Sequence, residues 1–179
     1  MNCSIAQSLE VIGEWWTLLV VREAMLFGAR RFKEFQGAIG IADNILTERL
    51  RKLIACGVFE RIPASEKVRR GDYRLTDMGR DLFPIMIALM QWGDRWIAGS
   101  RTPVKILEKA SQTEVAEIRV ESNLGIALTP DDIILVAGPG ATAETRERLK
   151  LKFSQQMKPD RSNRGSDAHR LSKEKTRSR

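Results

Sequence analysis

"IADNILTERLRKLIACGVFERI", residues 41–62, is the stretch on which the reading of this chain turns. Ile45, Leu46, Leu50, Leu53 and Ile54 recur at the helical period, which predicts a helix over 42–56 stopped by Gly57. The opposite side carries Asp43, Asn44, Thr47, Glu48, Arg51 and Lys52. Taken alone, that side has two readings. It is an ordinary solvated face, steadied by pairing of Glu48 with Lys52 one turn on, or it is presented to a partner. After Gly57 the period changes. Val58, Phe59 and Ile62 form a short extended run, "PASEKVRRGD" supplies turn residues and charge, and "YRLT" returns as a second strand. This predicts a hairpin with a long basic tip over 63–72.

Further toward the N-terminus, "RRFKEFQGAI" places Phe32, Phe35 and Ile39 at helical spacing. Before it, "EWWTLLVVREAMLF" is almost apolar all round, as expected of a central buried helix. Ile5, Leu9 and Ile12 predict a short first helix closing at Gly13. Beyond the hairpin, Thr76 is the expected N-cap of a long segment over 76–97, which Pro84 should kink or split. Helix, helix, turn, helix, hairpin is the order of a winged helix-turn-helix, whose last helix keeps an outer face free for a DNA groove. In that setting Asn44, Thr47, Glu48 and Arg51 are side chains of the types that bond base edges and phosphates. Asp43 is a candidate cap and a favourable charge at the helix start. Lys67, Arg69 and Arg70 on the tip are expected to reach phosphate or the minor groove. Arg30, Arg31 and Lys33 open the preceding helix, where a backbone contact is expected. For Arg31 an ion pair with Glu34 or another acid is the alternative.

The chain of 179 residues carries a formal charge of +7, distributed as +2 over 1–100, zero over 101–153 and +5 over 154–179. The basicity thus favours polyanionic partners but resides mostly in the tail. No run is long and apolar enough for a membrane span, and the first residues lack the pattern of a secretory signal. With Cys3 and Cys56 as the only cysteines and His169 as the only histidine, a disulfide framework or a His/Cys metal site is not expected, and a cytoplasmic location is. No phosphate loop or nucleophile motif is present, so no catalytic residues, cofactor or enzyme activity are expected.

Gly13, Trp16 and Thr17, then Gly28, Arg31, Phe32 and Glu34, then Ile41, Leu46, Thr47, Arg49, Leu50, Gly57 and Arg61 occur in that order. Tyr73, Leu75, Thr76, Gly79, Leu82 and Trp92 complete the pattern. Over about residues 3–97 the chain resembles the HxlR-type transcriptional regulators, winged-helix proteins related in shape to the MarR group. The resemblance implies a homodimer acting on promoter operators. Family members carry a cysteine just before the first helix, an oxidant or electrophile sensor in some of them. Cys3 stands at that place, with Ser4 where proline often follows, which makes Cys3 the candidate redox sensor. Cys56 is expected to be a small packing residue.

Leu82, Ile85, Met86, Leu89, Trp92 and Trp96 form one stripe, and Phe83, Ile87, Met90 and Ile97 extend it. One small domain can cover only one such face, so a second copy is expected, with Ile5 and Leu9 joining the interface. The alternative is that the C-terminal segment covers the stripe. In that segment Ala116, Ile118 and Val120 alternate with charged residues, and "GIALTPDDIILV" predicts two more strands around Pro130 and Asp131. "TAETRERLKLKF" predicts a short basic helix, and 154–179 a disordered tail.

The expected fold is therefore mainly α with a small β wing. A winged helix-turn-helix and dimerisation domain spans 1–100, a β/α extension 101–153 and a basic tail 154–179. The expected function is sequence-specific regulation by a homodimeric repressor binding a pseudo-palindromic operator through helix 42–56 and wing 63–72. Its partners would be double-stranded DNA, a second copy and an unidentified small effector, with no membrane. The alternative function is a winged-helix module for protein or RNA contact.

Overall fold

The computed structural model describes residues 3–63 and 71–156, the side chains of 152–156 excepted. Four helices come first: α1 (Ser4–Ile12), α2 (Trp15–Leu26), α3 (Phe32–Ile39) and α4 (Asp43–Ala55). Two strands follow, β1 (Phe59–Arg61) and β2 (Tyr73–Leu75), paired antiparallel with Phe59 opposite Leu75 and Arg61 opposite Tyr73. Then come the single turn α5 (Asp77–Arg80) and α6 (Phe83–Gly93). A π-helical turn at Asp94–Ala98 and a 3-10 turn at Gly99–Arg101 continue α6.

Each boundary has a local cause. The Glu14 carboxylate accepts the Trp16 N–H at 3.1 Å and starts α2. Glu34 closes a capping box on α3 by accepting the backbone N–H groups of Arg30 and Arg31 at 2.8 and 3.0 Å. These donations, Arg30's the larger, hold the Glu34 carboxyl below its ordinary value of 4.5. Gly40 ends α3 at φ 63°, the left-handed region that glycine enters without a Cβ clash, and makes the sharp turn into α4. At the other end of α4, Gly57 N–H reaches Ile54 O and Val58 N–H reaches Leu53 O, the paired closure of a Schellman motif. Pro84 stands in the first turn of α6, so the predicted long helix is split at Asp81 and Leu82.

One core joins these elements. Val20 and Val21 of α2, Phe35 of α3 and Leu46, Leu50 and Leu53 of α4 meet Val58, Phe59 and Leu75 of the hairpin and Met86 of α6. Phe35 sets its ring edge-on to Phe59 and Tyr73, with centroids 6.2 Å apart in both pairs. The core matches the stripe read from residues 45–54. Helix α2 is more one-sided than its composition suggests: Thr17, Val20 and Val21 are buried, whereas Trp15 and Leu26 are exposed, as is Phe27 at its C-cap. Met86 also departs from expectation. It stands in the predicted interface stripe, yet it is only 8 % exposed and packs in this core, with Leu82 half-buried against it. The Pro84 break rotates α6 so that those two positions face inward.

The chain divides into two compact units, the first running to Asp132 and the second from Ile133 onward. Within the first, residues 101–132 fold as two small hairpins, each closed by an isolated bridge, Leu107 with Glu114 and Glu121 with Ala127. The second turns at Gly125, φ 74°, and Leu128 N–H returns to Val120 O at 2.8 Å. Residues 120–122 thus pair with 126–128. The turn expected at Pro130 and Asp131 joins no paired strands, because Thr129 closes locally on the Asp132 carboxylate through its N–H and its hydroxyl. In the second unit, Thr142 caps α7 (Ala143–Gln156), which runs three residues into the segment assigned to the tail. The rest of that segment, 157–179, lies outside the described residues.

Candidate nucleic-acid interface

Helix α4 has two unlike sides. Leu46, Leu50 and Leu53 are buried, while Asp43, Asn44, Thr47, Glu48, Arg51 and Lys52 are exposed. Asp43 is the first helical residue and Ala42 the N-cap, so Asp43 does not cap α4. Its carboxylate accepts Gln36 Nε2 instead, and the Gln36 carbonyl oxygen accepts Lys33 Nζ at 2.9 Å. This chain fastens the cation on α3 beside the start of α4. The Thr47 hydroxyl donates to Asp43 O at 2.7 Å, which leaves its oxygen able to accept. Asn44 and Arg51 have no side-chain hydrogen bond among the described residues.

Glu48 is paired. Its Oε1 accepts Arg49 Nη2 at 2.9 Å, and Arg49 Nε lies 3.7 Å from the Glu14 carboxylate at the start of α2. Arg49 is the neighbour of this face that reading its exposed residues one by one does not supply. Its signal was present, since Arg49 sits three after Leu46 and four before Leu53, inside the apolar stripe. A cation in such a row needs a partner from another element.

At the start of α3, Arg30 and Arg31 are exposed, as is Lys33. Arg31 Nε lies 3.5 Å from the Asp72 carboxylate at the hairpin root, so its guanidinium pairs with Asp72, while Glu34 takes its backbone N–H. Next to it, Tyr73 N–H donates to Arg30 O at 2.7 Å. The hairpin root carries further charge: Glu60 pairs with Arg74 at 2.8 Å, and the Arg61 guanidinium lies 6.0 Å from the Tyr73 ring centroid. Lys67, Arg69 and Arg70, the expected wing contacts, lie outside the described residues.

Of the expected interface residues, Ile5, Leu9, Ile85, Leu89, Trp92 and Trp96 are exposed, the two tryptophans by 55 % and 70 %. Residues 101–120 meet α6 next to these tryptophans, Glu117 and Ile118 standing beside Ala88, Trp92 and Trp96. Gln91 holds them by both ends of its amide, donating to Ala116 O at 3.0 Å and accepting Ile118 N–H at 2.8 Å. Arg95 pairs with Glu117 beside it. Cys3 is exposed at the N-cap of α1, and Cys56 is half-buried. Among the described residues no cluster of His, Cys, Asp and Glu could hold a metal ion, and no helix is long and apolar enough to cross a membrane.

Residues 11–101 match the model of the HxlR-like helix-turn-helix family. The HTH-type transcriptional regulator Rv3095 of Mycobacterium tuberculosis, itself uncharacterized, is 39 % identical over 142 residues, which cover 79 % of this chain and 89 % of that one. YvaP of Bacillus subtilis, described in the same words, is 33 % identical over 92 residues, covering 51 % of this chain and 84 % of its own. The crystal structure of PA1607, a candidate transcription factor, superimposes with a TM-score of 0.72 at 38 % identity, over 76 % of this chain and 96 % of that one. PA1374 from Pseudomonas aeruginosa, similarly described, gives 0.57 at 37 % identity, over 82 % and 99 %.

Proposed function

Because the chain belongs to the HxlR-like helix-turn-helix family, we propose that it is a homodimeric repressor that seats the exposed polar face of α4 in the DNA major groove. Membership makes it a transcriptional regulator, not an enzyme, and implies DNA as its partner. The observation that carries the finer reading is the division of α4. Its leucines are consumed by the core, and Asn44, Thr47, Glu48 and Arg51 are left outward on the element that the fold offers to a groove. Arg30, Arg31 and Lys33 flank that face as phosphate contacts, Asp43 orients Lys33 through Gln36, and Lys67, Arg69 and Arg70 extend the grip from the wing.

Two copies are supported by the apolar surface of Ile5, Leu9, Ile85, Leu89, Trp92 and Trp96, which stays exposed although Glu117 and Ile118 border its tryptophan end. A two-fold dimer reads a pseudo-palindrome with half-sites about one helical turn apart. Repression follows most simply from such a dimer obstructing polymerase, and a cytoplasmic location goes with that role. Two switches fit the same plan. A cavity of about 400 Å³ bounded by Met25, Arg30, Tyr73, Arg80 and Phe83 has room for a small effector where α6 begins. The exposed Cys3 is the place for thiol oxidation, at the end of α1 that carries Ile5 and Leu9.

The test is a gel-shift series on the chain's own promoter region. Asn44→Ala, Thr47→Ala and Arg51→Ala together should abolish the sequence-specific shift, each bidentate contact being worth about 1–3 kcal/mol. The dimer, measured by light scattering, should survive. Unchanged binding moves the site elsewhere and favours a protein or RNA contact. With about six phosphates neutralised per dimer, log K should fall with log salt at a slope near −5 for the unaltered protein.

A further inference from the structure

A carboxylate on a surface that meets a polyanion is a liability unless it is neutralised or given a donor to bind. Glu48 is such a group, exposed on α4 beside Thr47. Its two oxygens differ. Oε1 is anchored on Arg49 Nη2 at 2.9 Å, while Oε2 has no hydrogen bond among the described residues. Arg49 is not a mobile surface cation. Its side chain is only 14 % exposed, its Nε is buried without a hydrogen bond, and the nearest second acid is Glu14, 3.7 Å away on another helix. The guanidinium is thus fixed by packing and by two carboxylates, and it fixes Glu48 in turn.

An anchored Oε1 with an open Oε2 is an acceptor that has one direction left. In the major groove, guanine offers N7 and O6 and thymine O4, all acceptors that repel a carboxylate. Adenine sets its N6 donor next to the N7 acceptor. Cytosine N4 is the donor with no acceptor beside it on the same base. Resting on the reading of α4 as the groove helix, we propose that Glu48 selects cytosine at one position of each half-site, with Arg49 as the positioning residue. Arg49 holds the carboxylate in place and screens it from the phosphates.

Selection of binding sites from randomised duplexes by the full-length protein tests this. The unaltered protein should enrich cytosine at one position in each half. Glu48→Gln should move that one preference to adenine, which a carboxamide binds in two places, with discrimination of about 5- to 150-fold, and leave the other positions as they were. Arg49→Ala should erase the cytosine preference and weaken binding to every sequence about 10-fold, and adding Glu48→Gln should restore most of that affinity. Should Arg49→Ala fail to fold, Arg49→Lys, which keeps the charge but not the two-carboxylate span, should blunt the preference. Glu14→Gln should lower the melting temperature and keep cytosine. Base preferences untouched by Glu48→Gln overturn the role of Glu48; full cytosine selection by a folded Arg49→Ala or Arg49→Lys overturns that of Arg49. A motif indifferent to Asn44→Ala, Thr47→Ala and Arg51→Ala would instead sink the groove helix itself.

Discussion

Between Ile12 and Ile87 lie all the buried apolar side chains among the described residues; between Arg101 and Asp132 there is none, although Leu107, Ile118, Val120 and Ile126 stand there. The first region has several layers. Stripes on α2, α3 and α4 converge on one point, and the hairpin and α6 close it. The second region has backbone closure within each hairpin, exposed ion pairs such as Lys105 with Glu114, and a polar clamp to the α6 segment through Gln91 and Arg95. Apolar composition therefore does not make a core. A second surface must face the first closely enough to exclude water, and none of the apolar side chains of 101–132 reaches burial against its neighbours.

The widest separation between the two regions should appear on removing one side chain from each. Leu46→Ala is expected to cost about 2–5 kcal/mol, measured by urea unfolding followed through tryptophan fluorescence. Val120→Ala, at a side chain 68 % exposed, should stay within about 0.5 kcal/mol. Equal losses would break the contrast. Next come the two left-handed glycines. Gly40→Ala should lower stability by about 1–2 kcal/mol in the same assay, because the turn between α3 and α4 belongs to the cooperative unit. Gly125→Ala meets the same backbone strain at φ 74° but should leave the global midpoint where it was.

A smaller effect is expected at the clamp. Gln91→Ala removes two hydrogen bonds, a net of about 1 kcal/mol each at most. The loss should show as faster amide exchange at Ile118 and easier proteolysis within 101–120, with the core transition unmoved. The smallest effect concerns acid. Glu34 is held below 4.5 by the backbone donors of Arg30 and Arg31, so the stability it gives is complete above about 4.5 and is lost as pH falls through its lowered folded value. Glu34→Gln should flatten the acid limb of the stability profile. Glu117 is lowered too, by Arg119 first and then Arg95, and Glu117→Gln should leave that limb unchanged because it braces the 101–132 segment, whereas Glu34 caps a helix of the core.

Where several local signals agree, the sequence could be read directly. The stripe at Leu46, Leu50 and Leu53, Gly57 as terminator, Thr76 as cap and Pro84 as break each act within one turn of chain. The outward side of α4 is the complement of that stripe, so Asn44, Thr47 and Arg51 could be named without coordinates. What escaped depends on tertiary placement. Met86 and Leu82 go to the core because the break before α6 sets its rotation, which helical periodicity alone does not carry. Gln36 meets Asp43, and Arg49 meets Glu14, only once α3, α4 and α2 are assembled. Pro130 and Asp131 form a turn signal that Thr129 and Asp132 satisfy locally, leaving no ladder to propagate.

The Tyr73 N–H bond to Arg30 O, with Arg31 and Asp72 at its side, fastens the hairpin root to the chain leading into α3. On the proposed reading, a duplex arriving at this corner would encounter parts already joined. It would not need to freeze one against the other, and that saving in conformational entropy would strengthen the complex without adding a single contact to the nucleic acid.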